Sequence, residues 1–130
     1  MTPIKAILID DEAAGIRSLK AELEGYFSDI EVIATFQDPL KALEEIPLLN
    51  PDVLFLDIEM PRLNGFEFLE RYGLVNFEII FVTAYNEFAI QAFEVNAIAY
   101  LIKPVRKSKL EKAIEKSLPE PLKLILNFSI

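Results

Sequence analysis

The sequence has 130 residues, of which 52% are hydrophobic, and a net charge of −8, which indicates one folded domain and excludes a disordered chain. The acidic excess argues against nucleic-acid binding, because phosphate contacts require lysine and arginine, and no apolar run approaches the roughly 20 residues of a membrane span. The lack of cysteine and histidine excludes disulfides, thiol chemistry and an internal imidazole, and without a signal-peptide pattern we expect a cytoplasmic protein.

Strand and helix patterns alternate through the first half of the chain. An apolar segment at residues 4–9 predicts a buried strand, and residues 13–27 carry apolar side chains at helical spacing. The β-branched segment 30–36 predicts a second strand. Asp38 then caps a short helix that we expect to extend only to Ile46, because Pro47 and the Asn50-Pro51 pair follow it.

The second half starts with the run from Val53 to Leu56, which has neither a helical stripe nor strict alternation. Such a run predicts a strand that is covered on both faces, as in the middle of a parallel sheet. The later predicted elements are a helix over 66–72, a strand over 79–83, a helix capped by Asn86 and reaching Phe93, a strand over 97–102, and a terminal helix with Leu110, Ala113, Ile114 and Leu118 on one face.

This alternation predicts an α/β fold with a doubly wound parallel sheet of five strands and right-handed crossovers. We expect residues 1–118 to form the domain. Pro119-Glu120-Pro121 has the character of a linker, and residues 122–130 form an apolar tail. The tail is interpreted either as the start of a missing output domain or as an edge that pairs with another molecule.

Polar side chains stand where four of the predicted strands end. Asp10 and Asp11 follow the first strand, Asp57 follows the third, Thr83 ends the fourth and Lys103 follows the fifth. Because the carboxyl ends of parallel strands share one edge of the sheet, we expect these groups to converge there. Three crowded carboxylates repel one another unless a cation joins them, and a hard cation with oxygen ligands, Mg²⁺, suits such a set.

The same residues suggest phosphoryl transfer. Asp57 is the candidate nucleophile, since carboxylates can form aspartyl phosphates. Lys103 would place a positive charge on a phosphate oxygen, and the Thr83 hydroxyl would donate a hydrogen bond. Each residue alone has a structural explanation, as a helix cap, a strand residue or a strand exit. Only their combination favours a catalytic site.

Four segments contain the polar residues of the strand ends: Ile9-Asp10-Asp11-Glu12, residues 54–61 with Asn64-Gly65, residues 81–84, and Lys103-Pro104. Together they resemble the receiver domain of two-component response regulators, over residues 4 to 118. The resemblance implies a flavodoxin-like (βα)₅ fold with strand order 2-1-3-4-5. It also implies phosphoryl transfer from a histidine kinase, so that the chain is a phosphoacceptor that assists its own phosphorylation and dephosphorylation rather than a classical enzyme.

The resemblance implies a role for each acid of the pocket. Asp57 would be the phosphoacceptor. Asp11 and Asp57 would bind Mg²⁺ directly together with the backbone carbonyl of Glu59, while Asp10 would act mainly through water. The Glu59 side chain adds an acid beside the pocket, two residues past Asp57.

The resemblance also implies a switch. Thr83 and Lys103 would contact the phosphoryl oxygens, and the bond between Lys103 and Pro104 would be cis. Tyr100 matches the aromatic residue that turns inward when Thr83 moves toward the phosphoryl group. The surface of the fourth helix, fifth strand and fifth helix would then be the readout face.

Residues 83–94 are similar to receivers of LytTR-type regulators, whose output is a DNA-binding domain. Binding of DNA and regulation of transcription would therefore belong to a missing C-terminal domain. Phe88, Ile90, Phe93 and Val95 supply more apolar surface than a solvated helix requires. Some of them should be core, and the remainder could form a homodimer interface that phosphorylation strengthens.

Three alternatives stay open. A haloacid-dehalogenase-like phosphatase would need a second aspartate where Glu59 stands, and a cap for which there is no length. A flavodoxin would need a phosphate loop after the first strand, where Asp10, Asp11 and Glu12 repel phosphate. A pseudo-receiver that serves only as a docking module would lack a pocket residue, and none is missing.

Overall fold

A computed structural model of the chain describes residues 3–117. All strand pairs are parallel, and the strands lie in the order β2-β1-β3-β4-β5. The predicted α/β fold and its strand order are therefore confirmed. The strands are Ile4–Ile9 (β1), Ile30–Phe36 (β2), Val53–Leu56 (β3), Glu78–Thr83 (β4) and Ala99–Ile102 (β5).

Five helices connect or follow these strands. None of the helices in the described part of the chain is long and apolar enough to cross a membrane. The helices are Ala13–Tyr26 (α1), Pro39–Leu49 (α2), Gly65–Tyr72 (α3), Ala89–Glu94 (α4) and Lys107–Ser117 (α5). The assignment of Leu118 to the last helix and of 119–130 to a linker and tail lies outside the described residues.

Two apolar cores cover the two faces of the sheet. Helices α1 and α5 contribute to one core, which includes Leu23 and Leu110. Helices α2, α3 and α4 contribute to the other, which includes Ile46 and Phe68. Alternate residues of β3 belong to different cores, and all four are buried. This two-sided burial explains why the β3 sequence is uniformly apolar.

Helix α2 is longer than the sequence indicates, and its predicted end at Ile46 is wrong. The helix continues through Pro47 to Leu49. Proline lacks one backbone donor, but a single lost bond is tolerable so close to the helix end. Asn50 closes the helix in the left-handed region with φ 55°, and its amide donates to the Ile46 carbonyl at 3.2 Å.

The predicted cap of the fourth helix at Asn86 is also wrong. Helix α4 begins at Ala89, and Phe88 occupies the cap position without a side-chain hydrogen bond. The half-buried Phe88 packs against the core, with its ring centroid 6.2 Å from that of Phe66. Burial of this ring therefore decides where the turn becomes a helix, in place of a polar cap.

Two smaller boundaries also differ from the sequence prediction. Strand β5 begins at Ala99 rather than at residue 97. Helix α1 ends at Tyr26, and Tyr26 is 58% exposed although its spacing matches the apolar face. The Lys107 ammonium lies 4.4 Å from the centre of the Tyr26 ring, and the same ring lies edge-on to the core residue Phe27, with 6.5 Å between the ring centroids.

Candidate functional site

Backbone hydrogen bonds extend the sheet one residue beyond its strands and so place the acidic residues on one edge. The Asp10 amide donates to the Phe36 carbonyl at 3.1 Å, and the Asp57 amide donates to the Ile9 carbonyl at 3.0 Å. The Lys103 amide donates to the carbonyl of Thr83 at 2.8 Å. Asp10, Asp57 and Lys103, which directly follow β1, β3 and β5, therefore lie along the same edge of the sheet.

Lys103 joins the two buried aspartates. Its Nζ lies 2.6 Å from Asp10 Oδ2 and 3.3 Å from Asp57 Oδ2. The three side chains are 24%, 10% and 6% exposed, respectively, so water screens this network only partly. Desolvation opposes the charge of Lys103, but the hydrogen bond to Asp10 and the charge of Asp57 outweigh it and raise the pKa of Lys103.

Asp57 is the most strongly perturbed acid of the pocket. Burial raises the pKa of Asp57 to about 6, and the charge of Asp10 adds to this increase, although Lys103 partly opposes both. The backbone amide of Ile58 donates to Asp57 Oδ1 at 2.7 Å, which orients the carboxylate. A buried carboxylate with two donors, the Ile58 amide and the Lys103 ammonium, is held in one orientation, which suits a nucleophile.

A second group of acids stands beside this network. Oxygens of Asp10, Asp11 and Glu12 lie within 4.8 Å of one another. Burial and the charge of Asp10 raise the pKa of Asp11. Three carboxylates held this close together form an oxygen donor set that suits a hard divalent cation. The residues present therefore fit the predicted Mg²⁺, and the fit rests on oxygen chemistry and charge.

Glu12 is not among the metal ligands predicted from the sequence. It follows Asp11 directly, and its carboxylate belongs to the group formed with Asp10 and Asp11. The exposed side chain of Glu59 is not part of this group among residues 3–117. The predicted role of the Glu59 backbone carbonyl stays a prediction.

Hydrogen bonds connect the pocket to the predicted switch residue. Thr83 is fully buried, and its Oγ1 accepts a 3.4 Å hydrogen bond from the Tyr85 amide. The Tyr100 hydroxyl donates to the Tyr85 carbonyl. The peptide bond between Lys103 and Pro104 is cis, which is the isomer that the resemblance implies. Tyr85 thus lies between Thr83 and Tyr100 in a continuous chain of contacts.

The loop after β3 is held by a glycine whose structural role the sequence analysis did not identify. A Cβ at Gly65 would lie 2.6 Å from the Asp57 carbonyl oxygen, so only glycine allows the start of α3 to approach so closely. Asn64 and Glu67 form a reciprocal capping box at this helix start. The pair Asn64-Gly65 is typical of a turn, but it does not predict that Gly65 lies so close to the Asp57 backbone.

The outer face of α4 exposes large apolar side chains. Ile90 is 77% exposed and Phe93 is 83% exposed. Phe88 and Val95 instead pack against the core as half-buried residues. The four apolar residues of this region thus divide into two core residues and two surface residues.

Comparison with known proteins identifies a family. The family model for the response regulator receiver domain matches residues 6–115. Transcriptional regulatory protein BtsR of Salmonella typhimurium is 40% identical over 117 residues, which cover 87% of this chain and 47% of the relative. An uncharacterized response regulatory protein of Vibrio cholerae is 43% identical over 116 residues, which cover 88% of this chain and 48% of the relative. The chain spans about half the length of these curated relatives.

Solved structures share the fold. The response regulatory domain of protein mrkE from Klebsiella pneumoniae superposes with a TM-score of 0.78 and 29% identity, over 87% of this chain and 93% of that domain. The REC domain of AraT, a response regulator from Geobacillus stearothermophilus, superposes with a TM-score of 0.77 and 30% identity, over 95% of this chain and 98% of that one.

Proposed function

This chain belongs to the response regulator receiver domain family, and on that premise we propose that Asp57 accepts a phosphoryl group from a histidine kinase in a reaction that requires Mg²⁺. The observation that carries the proposal is the buried Asp57 carboxylate, which shares Lys103 with Asp10 at an edge where further acids cluster. Burying an acid together with a fixed cation costs desolvation free energy, and buried ionisable groups with a shifted pKa cluster at functional sites.

In the proposed transfer, an ionised oxygen of Asp57 attacks phosphorus. The bond from phosphorus to the donor's imidazole nitrogen breaks, and its electron pair leaves with that nitrogen. Lys103 and the Thr83 hydroxyl would hold phosphoryl oxygens through charge and hydrogen bonding. The Ile58 amide, at 2.7 Å from Asp57 Oδ1, keeps the carboxylate oriented. The chain assists this transfer and the later hydrolysis without acting as a classical enzyme.

The acids beside Asp57 would hold the metal. Asp11, Asp57 and the carbonyl of Glu59 would bind Mg²⁺ directly, with Asp10 acting through water and Glu12 adding to the negative charge. When bound, the ion neutralises charge on the phosphoryl group. Burial raises the pKa of Asp57 and of Asp11, and the charge of Asp10 adds to both increases; without a cation, that charge would also repel phosphate.

Phosphorylation would reach the surface through the contacts of Thr83, Tyr85 and Tyr100. Movement of the Thr83 hydroxyl toward a phosphoryl oxygen would break its 3.4 Å contact with the Tyr85 amide. Tyr85 also accepts the hydrogen bond from Tyr100, so the position of that ring would depend on the state of the pocket. The readout face would be the surface of α4, β5 and α5.

We further propose that two phosphorylated copies of the chain associate through this readout face. Ile90 and Phe93 supply exposed apolar area, which a second copy of the chain would cover. In the longer protein, residues 1–118 would be the receiver, and residues 119–130 would be a linker and an apolar tail that starts an output domain that binds DNA. The transcriptional regulators among the relatives support this arrangement, and the expected compartment is the cytoplasm.

The test is incubation with Mg²⁺ and acetyl phosphate followed by intact-mass measurement. We expect a mass gain of one phosphoryl group in the wild type, and no gain in Asp57→Asn or when the metal is chelated. Asp52→Asn is a suitable control, because Asp52 is an exposed acid before the same strand. A wild type that stays unmodified would instead favour a receiver fold that works only as a docking module.

A further inference from the structure

Gly15 stands in the first turn of α1, where a glycine has no evident backbone purpose. The helix starts two residues earlier, and the Gly15 amide already donates to the Glu12 carbonyl at 3.0 Å. Glycine within a helix is less favourable than alanine. Its presence therefore requires an explanation from the surroundings of the helix.

Those surroundings are the ion pair of the pocket. A Cβ added at Gly15 would lie 2.2 Å from Asp10 Oδ2 and 3.4 Å from Lys103 Nζ. The added Cβ would therefore overlap Asp10 Oδ2 and would be in van der Waals contact with Lys103 Nζ. Gly25, in the same helix, has no neighbour within 4 Å of an added Cβ. The two glycines thus differ in what lies above them, and the ion pair lies directly on Gly15.

We propose that Gly15 is a positioning residue: its missing side chain lets Asp10 hold the Lys103 ammonium, and Mg²⁺ must displace this arrangement to recruit Asp10. The proposal rests on the metal site proposed above and adds a regulatory property to it. Lys103 acts as an internal counter-ion that occupies the acidic pocket while the metal is absent, and Gly15 makes that occupancy possible.

The metal-free state contains the bond between Asp10 and Lys103, and this determines whether Gly15→Ala strengthens or weakens Mg²⁺ binding. Asp10 Oδ2 is the end of a rotatable side chain, so Gly15→Ala should fold with that carboxylate turned away from α1. The variant then lacks the 2.6 Å bond to Lys103 in the metal-free state. Since Mg²⁺ no longer has to break this bond, metal binding should become tighter.

Titration calorimetry with Mg²⁺ alone tests the proposal. We expect Gly15→Ala to bind Mg²⁺ about fivefold more tightly than the wild type, the factor that corresponds to the net contribution of one ordinary hydrogen bond. Gly25→Ala should match the wild type. In thermal unfolding without metal, Gly15→Ala should have a lower melting temperature than Gly25→Ala. Saturating Mg²⁺ should reduce the difference between the two melting temperatures.

A double-mutant cycle separates the ion pair from simple crowding of Asp10. In a Lys103→Met background there is no ammonium to hold, so adding Gly15→Ala should leave the Mg²⁺ affinity unchanged. Equal or weaker affinity in Gly15→Ala alone, or an effect that persists at full size in Lys103→Met, would overturn the role of Gly15. A wild type that does not bind Mg²⁺ would overturn the proposed metal site as well.

Discussion

The edge of the sheet around Asp57 and the outer face of α4 are unfavourable environments of opposite kinds. At the sheet edge, charged groups are buried, and Asp57 is only 5% exposed. On α4, apolar groups are exposed, and Phe93 is 83% exposed. The first arrangement costs desolvation free energy, and the second leaves hydrophobic area in water.

Under the proposed function, each region would bind a partner of a particular chemistry. The sheet edge would bind a cation and accept an anionic phosphoryl group, and the α4 face would pack against another apolar surface. Away from these two regions, two apolar cores cover the two faces of the sheet. The contacts of Thr83, Tyr85 and Tyr100 run from the end of β4 to β5, and the Tyr85 ring lies 6.3 Å from that of Phe88 at the start of α4.

The largest expected effect lies at the sheet edge. Lys103→Ala removes the only cation that the described structure places on both Asp10 and Asp57. We expect phosphorylation by acetyl phosphate to slow about a hundredfold, in line with the loss of one preorganised charge. Mass spectrometry over time measures the rate. Lys109→Ala, which removes an exposed lysine of α5, should keep the wild-type rate. Normal transfer in Lys103→Ala would contradict the pocket chemistry.

A smaller effect is expected on α4. Phe93→Ser should weaken the phosphorylated dimer about tenfold, because an exposed aromatic anchor is lost, while the unfolding free energy changes by no more than about 0.5 kcal/mol. Sedimentation velocity with Mg²⁺ and acetyl phosphate reports the dimer. Leu48→Ser is the matched control, since Leu48 is 85% exposed but belongs to α2. Equal losses in both variants would remove the α4 face from the interface.

The smallest effect concerns stability and pH. Because burial raises the pKa of Asp57 from 3.8 to about 6, the folded state binds the proton more tightly than the unfolded state. The wild type therefore loses stability as pH rises from about 4 to 6. Asp57→Asn carries no charge, so its melting temperature should exceed that of the wild type at pH 7, and the difference should shrink toward pH 4.5.

Thermal unfolding across this pH range provides the measurement. Asp29→Asn, at an exposed position between α1 and β2, should show no comparable dependence. A constant difference between Asp57→Asn and the wild type at every pH would mean that the buried charge is not the cause.

Local sequence patterns determined most of the elements. The apolar runs predict β1 and β3 because a strand buried on both faces has no polar side, and Asp38 with Pro39 predicts the start of α2 through capping chemistry. Local rules were wrong at Pro47 and Asn86. Those helix boundaries depend on a tolerated proline near a helix end and on burial of Phe88, and neither is visible in a short window of sequence.

The sequence by itself also determined which residues stand at the strand ends, since that follows from where each apolar run stops. Only the tertiary structure decided how they meet. Lys103 reaches Asp10 across 93 positions of sequence, the pair lies on Gly15, and Gly65 approaches the Asp57 backbone. Such contacts arise when separate helices and strands pack into one volume, and distance along the chain carries no information about them.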